Sequence, residues 1–303
     1  MRKLLVAIFC ISASVQSFGQ QDPQFSQNMF NRLQPNPATA GSNDAICGTL
    51  LYRSQWVSFE GAPKTGLLSV DMPVEFLHGG LGLSLVTDKL GAENTFNAKL
   101  AYALRLNVGS GKIALGADVG IIQRSLDGTK FNPLDQGDVL IPQGNVSGNG
   151  LDFGAGLYYS NERFYIGGSA THLQQGTIDY GDLTTEVKSH YYGMAGATLN
   201  LTPSVALKPS VFVKSVSPKT IADINLNVHF SNRFYIGASY RTEDAIIAML
   251  GFTVLDNLRI GYSYDMTTSK IKDFSDGTHE ISLGYCYKIV KKVPPIIKNV
   301  RFL

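Results

Sequence analysis

The sequence predicts a closed antiparallel β-barrel of about 14 strands that crosses a bacterial outer membrane. Three observations predict it. Apolar and polar side chains alternate with a period of two almost everywhere after Ala45. The alternating segments run to ~10 residues, the length of a tilted membrane-crossing strand and longer than the ~5–6 of a soluble one. The gaps between them switch between tight and generous, as expected when short turns lie on one side of a membrane and longer loops on the other.

The chain opens on a secretory signal. Arg2 and Lys3 supply a basic start, Leu4 to Ile11 a short apolar stretch, and Ser17-Phe18-Gly19 the small residues of a cleavage point, so residues 1–19 are expected to be removed ahead of Gln20 or Gln21. Ala7-Ile8-Phe9 before Cys10 makes a poor lipobox, which argues against a lipid anchor. The leader is too short to span a bilayer, and no other run of ~18 apolar residues follows it. The charged fraction of 17% is low for a soluble domain, where ~25% is usual. A net charge of +2 gives no reason to expect nucleic acid as a partner.

Residues 20–44 do not alternate. They read as a periplasmic or plug segment, with a short helical stretch around Phe25 to Leu33 and extended, proline-rich chain around Pro35 and Pro37. The barrel is expected over 45–289, with strands near 45–54, 65–74, 80–87, 94–107, 112–124, 150–160, 163–172, 189–200, 204–216, 221–231, 233–242, 246–255, 257–267 and 278–289. In the stretch Leu258 to Met266, Leu258, Ile260, Tyr262, Tyr264 and Met266 share one face, and Arg259, Gly261, Ser263 and Asp265 the other. Tight gaps fall at Val108 to Gly111, Asn161-Glu162, Thr202-Pro203, Ser231-Asn232 and Asp256-Asn257; longer ones fall at Ser125 to Asn149, Leu173 to Lys188 and Thr268 to Gly277. An even strand number puts both ends on one side, and a periplasmic start puts those tight turns in the periplasm. Tyr158-Tyr159, Phe164-Tyr165 and Phe234-Tyr235 flank such turns and are assigned to a periplasmic aromatic girdle. Residues 290–303 form a tail, either a flexible end or a periplasmic contact.

Closure brings the first strand beside the last. Cys47 and Cys286 then face the lumen near the periplasmic end of the seam, either as a disulfide or as two small residues in separate registers. Lys208, Lys214, Asp152, Asp223, Arg259, Asp265 and Glu280 also point inward, and Lys99 is placed diagonally across from Asp118. Mixed charges in a narrow lumen are expected to pair rather than to line a wet channel.

Catalytic signals are poor. Gly109-Ser110-Gly111-Lys112 lacks the spacing of a phosphate loop, and there is no nucleophile elbow, His-Glu-x-x-His or Cys-x-x-Cys. His190 and His229 face inward without a second ligand at suitable spacing, so no metal, cofactor or catalytic residue is assigned and no enzyme is expected.

Two stretches are not explained by barrel physics. Asp22-Pro23-Gln24-Phe25-Ser26-Gln27, Asn36-Pro37-Ala38 and Gly41 belong to the first; Arg53-Ser54-Gln55-Trp56 and Gly61-Ala62-Pro63 belong to the first outer loop. Together they resemble the N-terminal signature of the PorP/SprF family of outer-membrane proteins, which is associated with type IX secretion and gliding motility. The resemblance is dense over Asp22 to Thr65, with a weaker echo over Gly80 to Gly91; it departs at Gln34-Pro35, where the family more often shows tyrosine or asparagine. It implies a protein that helps secrete or anchor a large cell-surface protein, such as a gliding adhesin, by binding its C-terminal region with the outer loops. Periplasmic machinery or a peptidoglycan-linked lipoprotein would then be met from inside. The residues themselves leave a second reading open, a plugged channel for small or hydrophobic solutes.

Overall fold

A computed structural model describes residues 22–131, 142–180, 184–255 and 257–288. The leader, the tail and positions 132–141 of the long loop lie outside them. The strands are β1 Ala45–Ser54, β2 Lys64–Val74, β3 Gly79–Leu90, β4 Glu93–Val108, β5 Gly111–Asp127, β6 Asn145–Ser160, β7 Phe164–Thr171, β8 Thr177–Asp179, β9 Thr184–Glu186, β10 His190–Ala197, β11 Leu199–Thr202, β12 Val205–Val216, β13 Lys219–Phe230, β14 Phe234–Arg241, β15 Ala245–Val254, β16 Leu258–Thr267 and β17 Thr278–Lys288. β8 and β9 make a small separate hairpin, and β10 with β11 forms one strand broken at Thr198. Among the described residues, fourteen antiparallel strands close a barrel, with β1 against β17 and β10 bridging β7 and β12.

The barrel is inside-out relative to a soluble sandwich. Along β1, Cys47, Thr49, Leu51 and Arg53 are buried while Ile46, Leu50 and Tyr52 are exposed; along β13, Asp223, Asn225 and Asn227 are buried while Ile224 and Leu226 are exposed. Apolar side chains cover the outside of nearly every strand, and Arg53, Arg241 and Glu280 are among the most buried side chains of the molecule. Water would penalise a belt of that extent, whereas lipid solvates it. The closed ladder meanwhile leaves no sheet edge unpaired in hydrocarbon.

The seam runs in one register from Ala45↔Lys288 to Ser54↔His279. Cys47 and Cys286 are direct partners in it, with Cα atoms 4.1 Å apart, and are joined as a disulfide. The bond links positions 239 apart in sequence, so it constrains nearly the whole unfolded chain. We expect Cys47→Ser/Cys286→Ser to lower the unfolding temperature, by the equivalent of about 2–4 kcal/mol, without opening the barrel. Heat-modifiability on a gel, run with and without reductant, measures this; identical midpoints would show that the bond is idle.

Four expectations are corrected by the structure. The first concerns the turns. Let the terminal end be the one where β1 begins and β17 ends. Every connection there is short and the four longest all lie at the far end, as expected, but Gly91-Ala92, Ser217-Pro218 and Thr242 to Asp244 are short at the far end too, so tight turns are not confined to one side. The strands β5 and β6 also run on to Asp127 and from Asn145, taking up both ends of the predicted 125–149 loop, and the 173–188 loop contains the β8–β9 hairpin.

The second concerns the girdle. Tyr158 and Tyr235 are buried in the lumen, and Tyr165 packs beside Tyr158. Strand alternation decides this: the outward partners are Tyr159 with Phe164, 5.6 Å between centroids, and Phe230, Phe234 and Phe252, spaced 5.8 and 5.1 Å. One residue of each adjacent aromatic pair faces lipid and the other faces in.

The third is local. Asp118 lies opposite Ala101 and diagonal to Lys99, as expected, but the ion pair of Lys99 is with Asp152, 3.1 Å away. The fourth concerns the N-terminal segment. It forms only 3-10 turns at Asn28–Phe30 and Pro37–Thr39, and it runs through the lumen from the far half, at Asp22, down to the terminal end, at Asp44. The start of the described chain is therefore not at the same end of the barrel as Lys288.

Candidate functional site

The lumen segment is held by four apolar patches and one ionic cluster. Phe25 packs on Leu51, Leu67 and Val86; Leu33 and Ala40 pack on Ala101 and Ala103. Ala38 packs in the Tyr158, Tyr192 and Phe212 cluster, while Met29 and Phe30 pack beside Tyr235, Ile247 and Met249. These contacts span the barrel's circumference, so the segment fills the lumen rather than lying along one wall.

The wall is cut to receive it. Asn36 caps the Pro37–Thr39 turn, accepting from the Ala38 N–H at 2.9 Å, and donates to the Leu157 carbonyl at 3.2 Å. A Cβ on Gly156 would meet Asn36 Oδ1 at 2.1 Å, and one on Gly116 would meet the Ala38 backbone at 2.2 Å. Gly41 has φ +67° and sits against Gly80, Met72 and Pro73, where any side chain would clash. Below it Asp44 leaves the lumen between Arg105 (2.9 Å) and Lys112 (2.9 Å). Partial burial would raise the Asp44 carboxyl, but hydrogen bonds from Lys112 and Arg105 hold it below its ordinary range.

The ionic cluster closes around Ser26. Its N–H and that of Gln27 each donate to Glu280 at 2.8 Å, and its hydroxyl donates to Asp265 at 2.6 Å. Arg53 pairs with Asp265 (2.9 Å) and Glu280 (3.1 Å), and donates to Ser26 Oγ at 2.8 Å. Arg241 pairs with Asp223 (2.9 Å) and Asp265 (3.3 Å). Gln24 and Asn28 donate to the two oxygens of Asp223 at 3.0 and 2.9 Å. Each carboxylate thus has two or more donors, which buried charge requires. Ser26 is the single residue of the segment touched by both arginines.

At the far end a cavity of about 320 Å³ opens above this cluster. Asp22, Pro23, Gln24, Arg53, Gln55, Trp56 and Pro63 line it, with Lys214, Arg241 and Glu243. Seven of the seventeen motif residues meet there, although they come from two stretches of sequence. Trp56 is held in the left-handed region (φ 47°), with its N–H donating to Thr278 at 3.0 Å, and Gln55 bonds to the Pro63 carbonyl at 3.0 Å. Phe25 lies beneath the cup, Asn36, Pro37 and Gly41 lie at the terminal end, and Gly61 takes φ +75° at the loop tip.

A second cavity, of about 370 Å³, lies at the terminal end with Arg32, Lys208 and Arg259 on its wall. Arg32 stacks on Tyr165 at 4.6 Å and Arg259 on Phe30 at 3.9 Å. Rings rather than carboxylates support these two guanidinium groups.

Sequence reasoning missed Arg241, His172 and the role of Ser26. Arg241 was readable by alternation from Tyr235 and Ser239. His172, just past β7, sits with its two ring nitrogens 3.0 Å from Asp22 and 2.9 Å from Asp152. Burial alone would discharge the ring, but the Asp22 and Asp152 carboxylates raise it to about 9. Asp22 in turn, against its burial, is held well below the usual carboxylate range by His172 and His190.

A wide barrel with an apolar outside, and a polar lumen stoppered by its own N-terminal segment, is a plugged outer-membrane β-barrel. The chain belongs to the PorP/SprF family, whose model, that of the type IX secretion system membrane protein PorP/SprF, matches residues 17–285. It is a membrane component of type IX secretion, placed in the outer membrane. No curated protein matches the chain. Among solved structures it is similar to the toluene transporter TodX of Pseudomonas putida, at 11% identity and TM-score 0.49, over 85% of this chain and 93% of that one. It is similar to a FadL homologue of Pseudomonas aeruginosa at 14% identity and TM-score 0.47, over 89% and 95%. It is also similar to the translocator domain of the autotransporter NalP from Neisseria meningitidis, at 12% identity and TM-score 0.44, over 87% and 98%.

Proposed function

We propose that the barrel anchors a large secreted surface protein by receiving its C-terminal region in the far-end cup, with that end facing outside the cell. The observation that carries this reading is the pairing of a filled lumen with an open, built cup. The segment that would have to leave for transport is tied by Ser26, Gln24 and Asn28 to three buried carboxylates. The cup above it offers an aromatic ring, amides and charges of both signs. A cup of that kind suits a peptide terminus better than a diffusing solute, because tryptophan is among the side chains that concentrate binding energy at protein contacts. The terminal end, with Arg32, Lys208 and Arg259 on its cavity wall, would face periplasmic partners.

Affinity pull-down from detergent-solubilised outer membrane tests the reading. The wild type is expected to bring down one very large secreted protein, and Trp56→Ala/Gln55→Ala to bring down at least tenfold less while staying heat-modifiable. Undiminished capture by that variant would remove the cup from the contact.

A further inference from the structure

We propose that Asp22, His172 and His190 form a transition-metal site, of the zinc class, that fastens the start of the lumen segment to the barrel wall. The three residues come from separate elements: the first described residue of the segment, the residue after β7, and the first residue of β10. One ligand atom from each lies within 4.8 Å of the other two. In a tetrahedral site with bonds of ~2.0–2.2 Å, ligand atoms are about 3.3–3.5 Å apart. Asp22 Oδ1 and His172 Nε2 stand at 3.0 Å, so little opening is needed.

The outer contacts carry the inference further than the cluster alone. His190 Nδ1 faces the carbonyl of Lys188 at 2.9 Å. A carbonyl only accepts, so Nδ1 holds the proton and Nε2 presents its lone pair. That Nε2 is turned to Asp22 and accepts from its N–H at 3.0 Å, a bond that a metal ion would replace. His172 Nδ1 is bound to Asp152 at 2.9 Å and its Nε2 faces Asp22 Oδ1, so both ring nitrogens carry protons and a metal ion would take the place of the Nε2 proton. A backbone carbonyl on one imidazole and a carboxylate on the other are the partners that orient metal-ligating histidines. The Asp22 carboxylate is fixed as well, because Tyr192 donates its hydroxyl to Oδ2 at 2.9 Å and leaves Oδ1 to His172.

Two imidazoles and a carboxylate suit zinc or a neighbouring divalent metal rather than calcium or magnesium. The nearby cations are already engaged: Lys99 by Asp152, and Lys214 by the Asp22 carbonyl. Occupancy would make the plug's attachment dependent on metal supply, in addition to the Ser26 cluster.

The purified barrel in detergent, stripped with chelator, is titrated with Zn²⁺ by calorimetry and with Co²⁺ by visible absorption. One equivalent per chain is expected, with the intense d–d bands of low-coordinate cobalt. His172→Ala and His190→Ala should each weaken uptake at least tenfold, Asp152→Asn by about 10–100-fold as a positioning residue, and His229→Ala should change nothing. His190→Cys should keep cobalt binding and add a thiolate charge-transfer band, which identifies the ligand even if the alanine variants fold poorly. Sub-stoichiometric uptake by the wild type would overturn the site, as would uptake indifferent to both alanine variants or a His190→Cys spectrum without the thiolate band.

Discussion

Arg241→Leu is expected to destabilise the barrel by about 3–5 kcal/mol and to loosen the lumen segment near Ser26. The side chain is 2% exposed and satisfies Asp223 through Nε and Nη2, Asp265 through Nη1, and the Phe25 carbonyl and Ser26 hydroxyl through Nη2. The cluster balances Arg53 and Arg241 against Asp223, Asp265 and Glu280. Removing one arginine leaves three carboxylates, each at most 1% exposed, to a single cation. Arg241→Lys should fall between wild type and leucine, because a point charge cannot span Asp223 and Asp265 as the guanidinium fork does. The double variant Arg241→Leu/Asp223→Asn should recover part of the loss, since a matched removal spares the uncompensated charge. Thermal unfolding followed by heat-modifiability reports the stability. Maleimide labelling of a cysteine placed at Gln24, in a background without Cys47 and Cys286, reports the segment. A double variant no better than Arg241→Leu would show that the loss is packing and not charge.

The same cluster shows where sequence reading stops. Alternation made the wall legible, because an inward or outward side chain is a local property of a strand: Asp223, Asp265 and Glu280 were placed in the lumen from their neighbours alone. Their partners were not legible. Ser26 meets Glu280 across 254 positions and His172 meets Asp22 across 150, and nothing in either neighbourhood encodes the other. The motif residues stood out because they did not fit the barrel pattern, and the structure gives a reason: they obey the geometry of the lumen they fill. Asn36 and Gly41 answer to Gly156 and Gly80 across the lumen, not to a helix or strand period of their own. The misplaced tyrosines teach the converse. Tyr158, Tyr165 and Tyr235 were assigned to a girdle for being aromatic beside a turn, when the period-two rule applied to the same residues already turned them inward.

Deleting Asp22 to Asp44 is expected to convert a silent barrel into a conducting one. The reason is size. Eight strands give an interior that side chains can fill, and 16–18 leave an aqueous channel; fourteen strands fall between, wider than wall side chains span. Here the segment supplies the missing volume, with Ser26, Gln27, Asn36, Ala38 and Ala40 at 0% exposure inside the lumen. Without it the ionic cluster would face water, which solvates the carboxylates that Ser26 and Gln27 now satisfy, so the wall should survive the loss. Single-channel recording in planar bilayers reads the result directly: rare or no openings for the wild type, and stable openings for the deletion. The selectivity of those openings should follow the exposed lumen charge, and Asp265→Asn/Glu280→Gln in the deletion background should shift it away from cations. A wild type that conducts as well as the deletion would favour the channel reading, with the segment as a gate already ajar. Silence in the wild type with conductance in the deletion would leave anchoring as the use of an otherwise sealed barrel, and would place the work of the protein on its rims.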